Sequence, residues 1–175
     1  MPETLEKVKK RQSIFGKIQN FFTFGYGTKE DLRELDKNLR DYYWDNLREL
    51  RHRWEKIYLD IVESEQGTIV KSLKRIIKTL DRVSSEIQRS DYGYAGLFDR
   101  KGSIREARLG QVLNHDKSFG ETLDKLKEAI NKVQSDVKMK LWDIVQKEVE
   151  DVENILQTME TGWREREKLF RSLEV

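Results

Sequence analysis

The 175-residue chain has no cysteine, one proline, two histidines and few glycines. Without cysteine there is no disulfide framework, no thiolate metal site and no cysteine nucleophile. With its only proline at Pro2, nothing after the first residues forbids helix. No apolar run approaches the ~20 residues that a membrane-spanning helix needs. The amino terminus also lacks the unbroken apolar core of a signal peptide, because Lys17, Gln19 and Asn20 interrupt it. The expectation is a cytoplasmic protein, free or peripheral to a membrane surface.

Catalytic signatures are missing as well. There is no Gly-x-Ser-x-Gly elbow, and Ser84 and Ser85 sit mid-helix with no histidine near them in sequence. Gly93, Gly96 and Gly102 are not spaced to open a phosphate-binding helix. Glu49 and His52 have the Glu-x-x-His spacing of helical di-iron bundles, but the second histidine, His115, has Val112 three residues before it. His52 also lies some two hundred degrees around the helix from Leu50, on the solvent side. These absences argue for a non-enzymatic protein with no cofactor, no metal and no small-molecule substrate.

What is present is charge and periodicity. Charged residues make up 38% of the chain and hydrophobic ones 37%. That balance suits a helical bundle with narrow apolar seams and wide wet faces. Four tryptophans and regular apolar spacing argue against disorder. The fold class expected is all-α: an elongated antiparallel bundle of coiled-coil-like hairpins with one very long C-terminal helix.

Thr28, Glu30 and Asp31 resemble a helix start. From there Leu32, Leu35, Leu39, Tyr42, Asn46, Leu50, Trp54, Ile57 and Ile61 step by threes and fours. The spacing predicts a helix over 28–66, with Gly67 in the left-handed C-terminal conformation. Ile69, Leu73, Ile76, Leu80, Val83 and Ile87 predict a second, antiparallel helix over 68–90. A glycine- and aromatic-rich loop follows. Capping boxes at Ser103/Glu106 and Ser118/Glu121 predict a short helix over 103–113 and a long one over 118–170. Three four-residue steps from Val137 to Val149 look like a stutter in the latter's seam. Residues 1–27 form an amino-terminal arm, and 28–175 the bundle domain.

The net charge of +2 is unevenly spread. Residues 1–27 carry +3, 28–66 carry −3, 67–90 carry +4 and 118–175 carry −3. Complementary packing of neighbouring helices explains such alternation. Lys71, Lys74, Arg75, Lys78 and Arg82 form a basic stripe opposite the Leu73/Leu80 seam, a candidate anion- or nucleic-acid-binding face. Against nucleic acid, no aromatic residues interleave with it as stacking platforms.

The arm interleaves Phe15, Ile18, Phe21 and Phe22 with Lys9, Lys10 and Lys17. Basic residues and bulky apolar groups on one short amphipathic helix suit an anionic membrane surface, a protein partner or a second copy of the chain. The same residues at helical spacing would equally cover the end of the bundle. Tyr92, Tyr94, Leu97 and Phe98, in the aromatic loop, are a further candidate contact. The reading is a helical interaction or assembly protein, with homo-oligomerisation or a protein partner ahead of a membrane and nucleic acid behind both.

Overall fold

The computed structural model describes residues 2–24, 28–90 and 103–171, without the side chains of 2–4, 8, 21–23, 29, 103–109 and 171. These residues form five helices: α1 (Pro2–Phe24), α2 (Lys29–Glu63), α3 (Gly67–Arg89), α4 (Ser103–Lys138) and α5 (Trp142–Arg171). No strand occurs among them.

The start of α2 follows from its sequence. Thr28 Oγ1 accepts from the Asp31 N–H at 3.2 Å, and the Asp31 carboxylate accepts from the Thr28 N–H at 2.6 Å. This closed capping box satisfies two backbone donors that the first turn leaves open. At ~1.5 Å per residue the 35 residues of α2 span about 52 Å.

The end of α2 differs from expectation. The left-handed residue is Glu65, with φ 60°, and Gly67 is already the first residue of α3. The Glu65 N–H donates to Val62 O at 3.2 Å and the Gln66 N–H to Ile61 O at 3.4 Å. That pair of bonds is a Schellman turn, which closes the helix whatever side chain sits at the left-handed position.

A larger correction concerns the C-terminal half. The short helix over 103–113 and the start expected at Ser118 merge into α4, so the Ser118/Glu121 box lies inside a helix. The long helix expected over 118–170 is instead cut at 139–141 into α4 and α5. Lys140 has φ 59°, its N–H donates to Val137 O at 3.0 Å, and the Leu141 N–H donates to Asp136 O at 3.0 Å. The supposed stutter is therefore a second Schellman turn, built without glycine or proline. The apolar seam breaks there, with Leu141 and Ile144 left 40% and 47% exposed, and burial resumes at Val145 as α5 folds back onto α4.

Two antiparallel hairpins result, and they lie side by side with like helices parallel. Within the hairpins, Arg51 Nε reaches Asp81 at 2.6 Å, and Lys132 Nζ reaches Glu148 at 3.0 Å. Between them, Arg53 reaches Asn131 at 3.0 Å on the α2/α4 side. On the α3/α5 side Arg75 reaches Glu153 at 2.9 Å and Arg164 reaches Glu86 at 3.3 Å. Both hairpin turns thus point to the same end of a four-helix bundle.

The core runs the length of this bundle. Leu39, Tyr43, Leu47, Trp54, Ile57 and Ile61 of α2 are wholly or almost wholly buried, as are Leu73, Ile76, Leu80, Val83 and Ile87 of α3. Leu123, Leu126, Ile130 and Val133 of α4 meet Val145, Val149, Val152 and Leu156 of α5. Trp54 keeps its polar edge satisfied by donating from Nε1 to Leu73 O at 3.1 Å.

Helix α1 packs antiparallel to α2, over the groove between α2 and α4. Lys7 pairs with Glu49, while Arg11 donates to Gly120 O at 2.8 Å and to Asp124 at 2.9 Å. A Cβ at position 120 would stand 2.8 Å from Arg11 Nη1, so a larger residue there would displace the Arg11 side chain. No helix among the described residues is long and apolar enough to cross a membrane.

Candidate functional site

The arm residues separate into two faces. Lys9, Lys10 and Lys17 are exposed, together with Leu5 and Phe24. Phe15 is only 6% exposed and Ile18 is fully buried, beside Ile14, in the common core. Those two candidate contact residues are therefore spent on holding α1 to its own bundle, the role that aromatics at helical spacing most often have. The side chains of Phe21 and Phe22 lie outside the described residues. So do Tyr92, Tyr94, Leu97 and Phe98 of the aromatic loop.

The basic stripe is partly neutralised by α5. Arg75 pairs with Glu153 at 2.9 Å, and Arg82 holds Glu160 through Nε and Nη2. Lys71, Lys74 and Lys78 are exposed. The acidic partner of the stripe is thus mainly the last helix. His52 is exposed, with Nδ1 4.0 Å from Glu55. Among the described residues no group of three or more His, Cys, Asp or Glu side chains is placed to hold a metal ion.

Sequence reading missed a buried ionic cluster near the end opposite the turns. Arg166, 1% exposed, donates from Nε to Asp116 Oδ1 at 2.7 Å and from Nη2 to Asp36 Oδ1 at 2.7 Å. Asp36 also receives Arg40 Nε at 2.9 Å, and Arg40 Nη1 donates to Ser90 O at 2.7 Å. Two arginines and two fully buried aspartates therefore link α2, α4, α5 and the end of α3. Trp163 donates to Ser90 Oγ at 2.8 Å, and Tyr43 OH donates to Asp116 O at 2.7 Å. Burial, reinforced by Asp116, raises the Tyr43 phenol well above its ordinary range.

Helical spacing carried a signal for this cluster. Asp36 lies four residues after Leu32 and three before Leu39, while Arg166 lies three after Trp163. Charged residues on an inward stripe imply partners. The cluster is charge-balanced and sealed by Trp163 and Phe170, whose rings lie 4.7 and 4.8 Å from the Arg166 guanidinium carbon. It is built to hold four elements in one arrangement.

Two further features lie on the surface. A cleft of about 590 Å³ runs between α4 and α5, lined by His115, Ser118 and Thr122 on one side and Asn154, Thr158 and Glu165 on the other. A Cβ at position 162 would lie 4.0 Å from His115 Cε1, an ordinary contact, so the ring does not require glycine there. At the turn end, Leu59, Val62, Met139, Leu141 and Ile144 are 40–57% exposed. They are five of the seven large apolar side chains left open among the described residues, the others being Leu5 and Phe24 on α1.

Comparison with protein-family models, with curated proteins and with solved structures yields no match for this chain.

Proposed function

We propose that the protein is a non-enzymatic helical interaction and assembly protein that works through the turn end of its bundle. The concentration of open apolar side chains there carries the reading. Large apolar groups are stable in water only at a cost, and clusters of them mark surfaces that meet another molecule. Near the opposite end the buried charges of the Arg166 cluster are occupied with one another.

A second surface is the outer face of α1, where Lys9, Lys10 and Lys17 stand exposed with Leu5 and Phe24. In this reading the arm binds an anionic membrane surface through lysines, without releasing Phe15 and Ile18 from the core. The nucleic-acid alternative rests on Lys71, Lys74 and Lys78, since Arg75 and Arg82 are engaged by glutamates.

Photo-crosslinking separates the three surfaces. A photoreactive residue is placed in turn at Met139, at Lys17 and at Lys78 of the full chain in its producing cells. The proposal expects protein adducts from position 139. Lipid adducts from position 17 alone, nucleic-acid adducts from position 78 alone, or none from any position would overturn it.

A further inference from the structure

We infer that the partner at the turn end is a second copy of this chain, docked through a two-fold contact that pairs the α2/α3 turn of one copy with the α4/α5 turn of the other. This rests on the reading of the turn end as the interaction surface, and it names the occupant.

The α2/α3 turn carries Asp60, Glu63 and Glu65, all exposed, and no basic residue between 60 and 66. The α4/α5 turn carries Lys138 and Lys140, also exposed. Asp143, beside them, lies in the first turn of α5, where a carboxylate complements its own helix's N-terminal dipole. Among the described residues, none of Glu63, Glu65, Lys138 and Lys140 forms an ion pair within the chain. Along the sides of the same bundle Arg75 pairs with Glu153 and Arg51 with Asp81, while Lys71, Lys74 and Lys78 stand exposed. The turn end therefore holds unused charge of both signs, acidic at 60–65 in the α2/α3 turn and basic at 138–140 in the α4/α5 turn.

The apolar groups follow the same division. Leu59 and Val62 belong to the acidic hairpin; Met139, Leu141 and Ile144 belong to the basic one. The two sets share an end because α2 runs parallel to α4, with Arg53 level with Asn131.

A two-fold axis satisfies this arrangement. Rotation brings the acidic, Leu59/Val62 turn of each copy onto the basic, Met139/Leu141 turn of the other, so each contact occurs twice and the interface closes on itself. Head-to-tail stacking would leave the turn end facing the Arg166 end, with neither complement met. An anionic membrane is disfavoured by the three acids on the α2/α3 turn, which bilayer phosphates would repel.

Sedimentation of the full chain tests the inference. A dimer in equilibrium with monomer is expected at tens of micromolar, weakened by salt. Met139→Ser with Leu141→Ser should raise the dissociation constant by about tenfold or more. Charge reversal gives the sharper arm. Lys138→Glu with Lys140→Glu should be monomeric alone, and so should Glu63→Lys with Glu65→Lys. Mixed, the two variants should form a one-to-one heterodimer, because both contacts then join opposite charges again. Circular dichroism on each variant confirms that the helices remain.

A wild-type chain that stays monomeric at about 100 µM overturns the dimer. So does association that survives both reversals, or a mixture that fails to associate. Should the monomer co-sediment with phosphatidylserine vesicles through Met139 and Leu141, the occupant is a membrane and the inference falls. Adducts from position 139 to a different protein, with a monomeric chain, would sink the inference while leaving the interaction reading in place.

Discussion

Arg166 is the residue on which most depends. Its guanidinium pairs with Asp36 and Asp116, both fully buried. Removing one partner of such a group leaves an uncompensated charge, which costs about 3–5 kcal/mol. Arg166→Met is therefore expected to lower urea-unfolding stability by that amount. Exchanging Asp36, Arg40, Asp116 and Arg166 together for apolar residues of similar size should cost far less, since no charge is then stranded. Glu148 offers a test by pH. Burial raises its carboxyl above the ordinary value, the Lys132 ammonium opposes the rise, and Asp136 adds to it. The folded state then holds this proton to higher pH than the unfolded chain does. Its contribution is intact below about pH 4.5 and is lost as pH rises through the folded pKa. Glu148→Gln should thus match the wild type at pH 4 and exceed it at pH 7 in thermal denaturation.

At the scale of the element, the two hairpin turns are the most informative features. Each places a non-glycine residue in the left-handed region, Glu65 at φ 60° and Lys140 at φ 59°. Left-handed backbone disfavours residues with a Cβ by about 1–2 kcal/mol, partly offset by the larger unfolded-state entropy of glycine. Lys140→Gly is expected to raise stability by about 0.5–1 kcal/mol, and Lys140→Val to lower it, both read from urea midpoints. The same feature explains why one turn was legible and the other not. At 64–67 a glycine and a break in the apolar pattern mark the reversal, though the glycine itself is not the left-handed residue. At 139–141 the chain reads Met-Lys-Leu, a run with good helix propensity and no punctuation. Only the apolar steps on either side hinted at a change, and a stutter produces the same steps.

For the whole molecule, the long buried seam outweighs the ion pairs that decorate it. Leu80→Ala, deep between the hairpins, should cost about 2–5 kcal/mol in urea denaturation. Arg82→Ala removes a half-exposed pair with Glu160 and should cost less than about 1 kcal/mol, a difference that shrinks with added salt. The charged stripes therefore align helices and set which neighbour each helix meets. Burial supplies the stability, in keeping with a surface so rich in charge.

The all-helical class, the positions of α2 and α3 and most of the core were determined by the sequence alone, because helical periodicity and caps are local and survive any packing. The alternation of basic and apolar residues between Lys7 and Ile18 was equally plain. Which side of that helix turns inward was not, since Phe15 and Ile18 suit a membrane, a partner or a core equally well by chemistry. Only the tertiary structure decided it, by closing the α2/α4 groove over them through Arg11 and Gly120. It likewise turned one expected long helix into a hairpin, joined residues as far apart as Asp36 and Arg166, and brought two turns of opposite charge to a single end. Each of these depends on where distant segments meet, and that is set by the packing of the whole chain rather than by any one window of it.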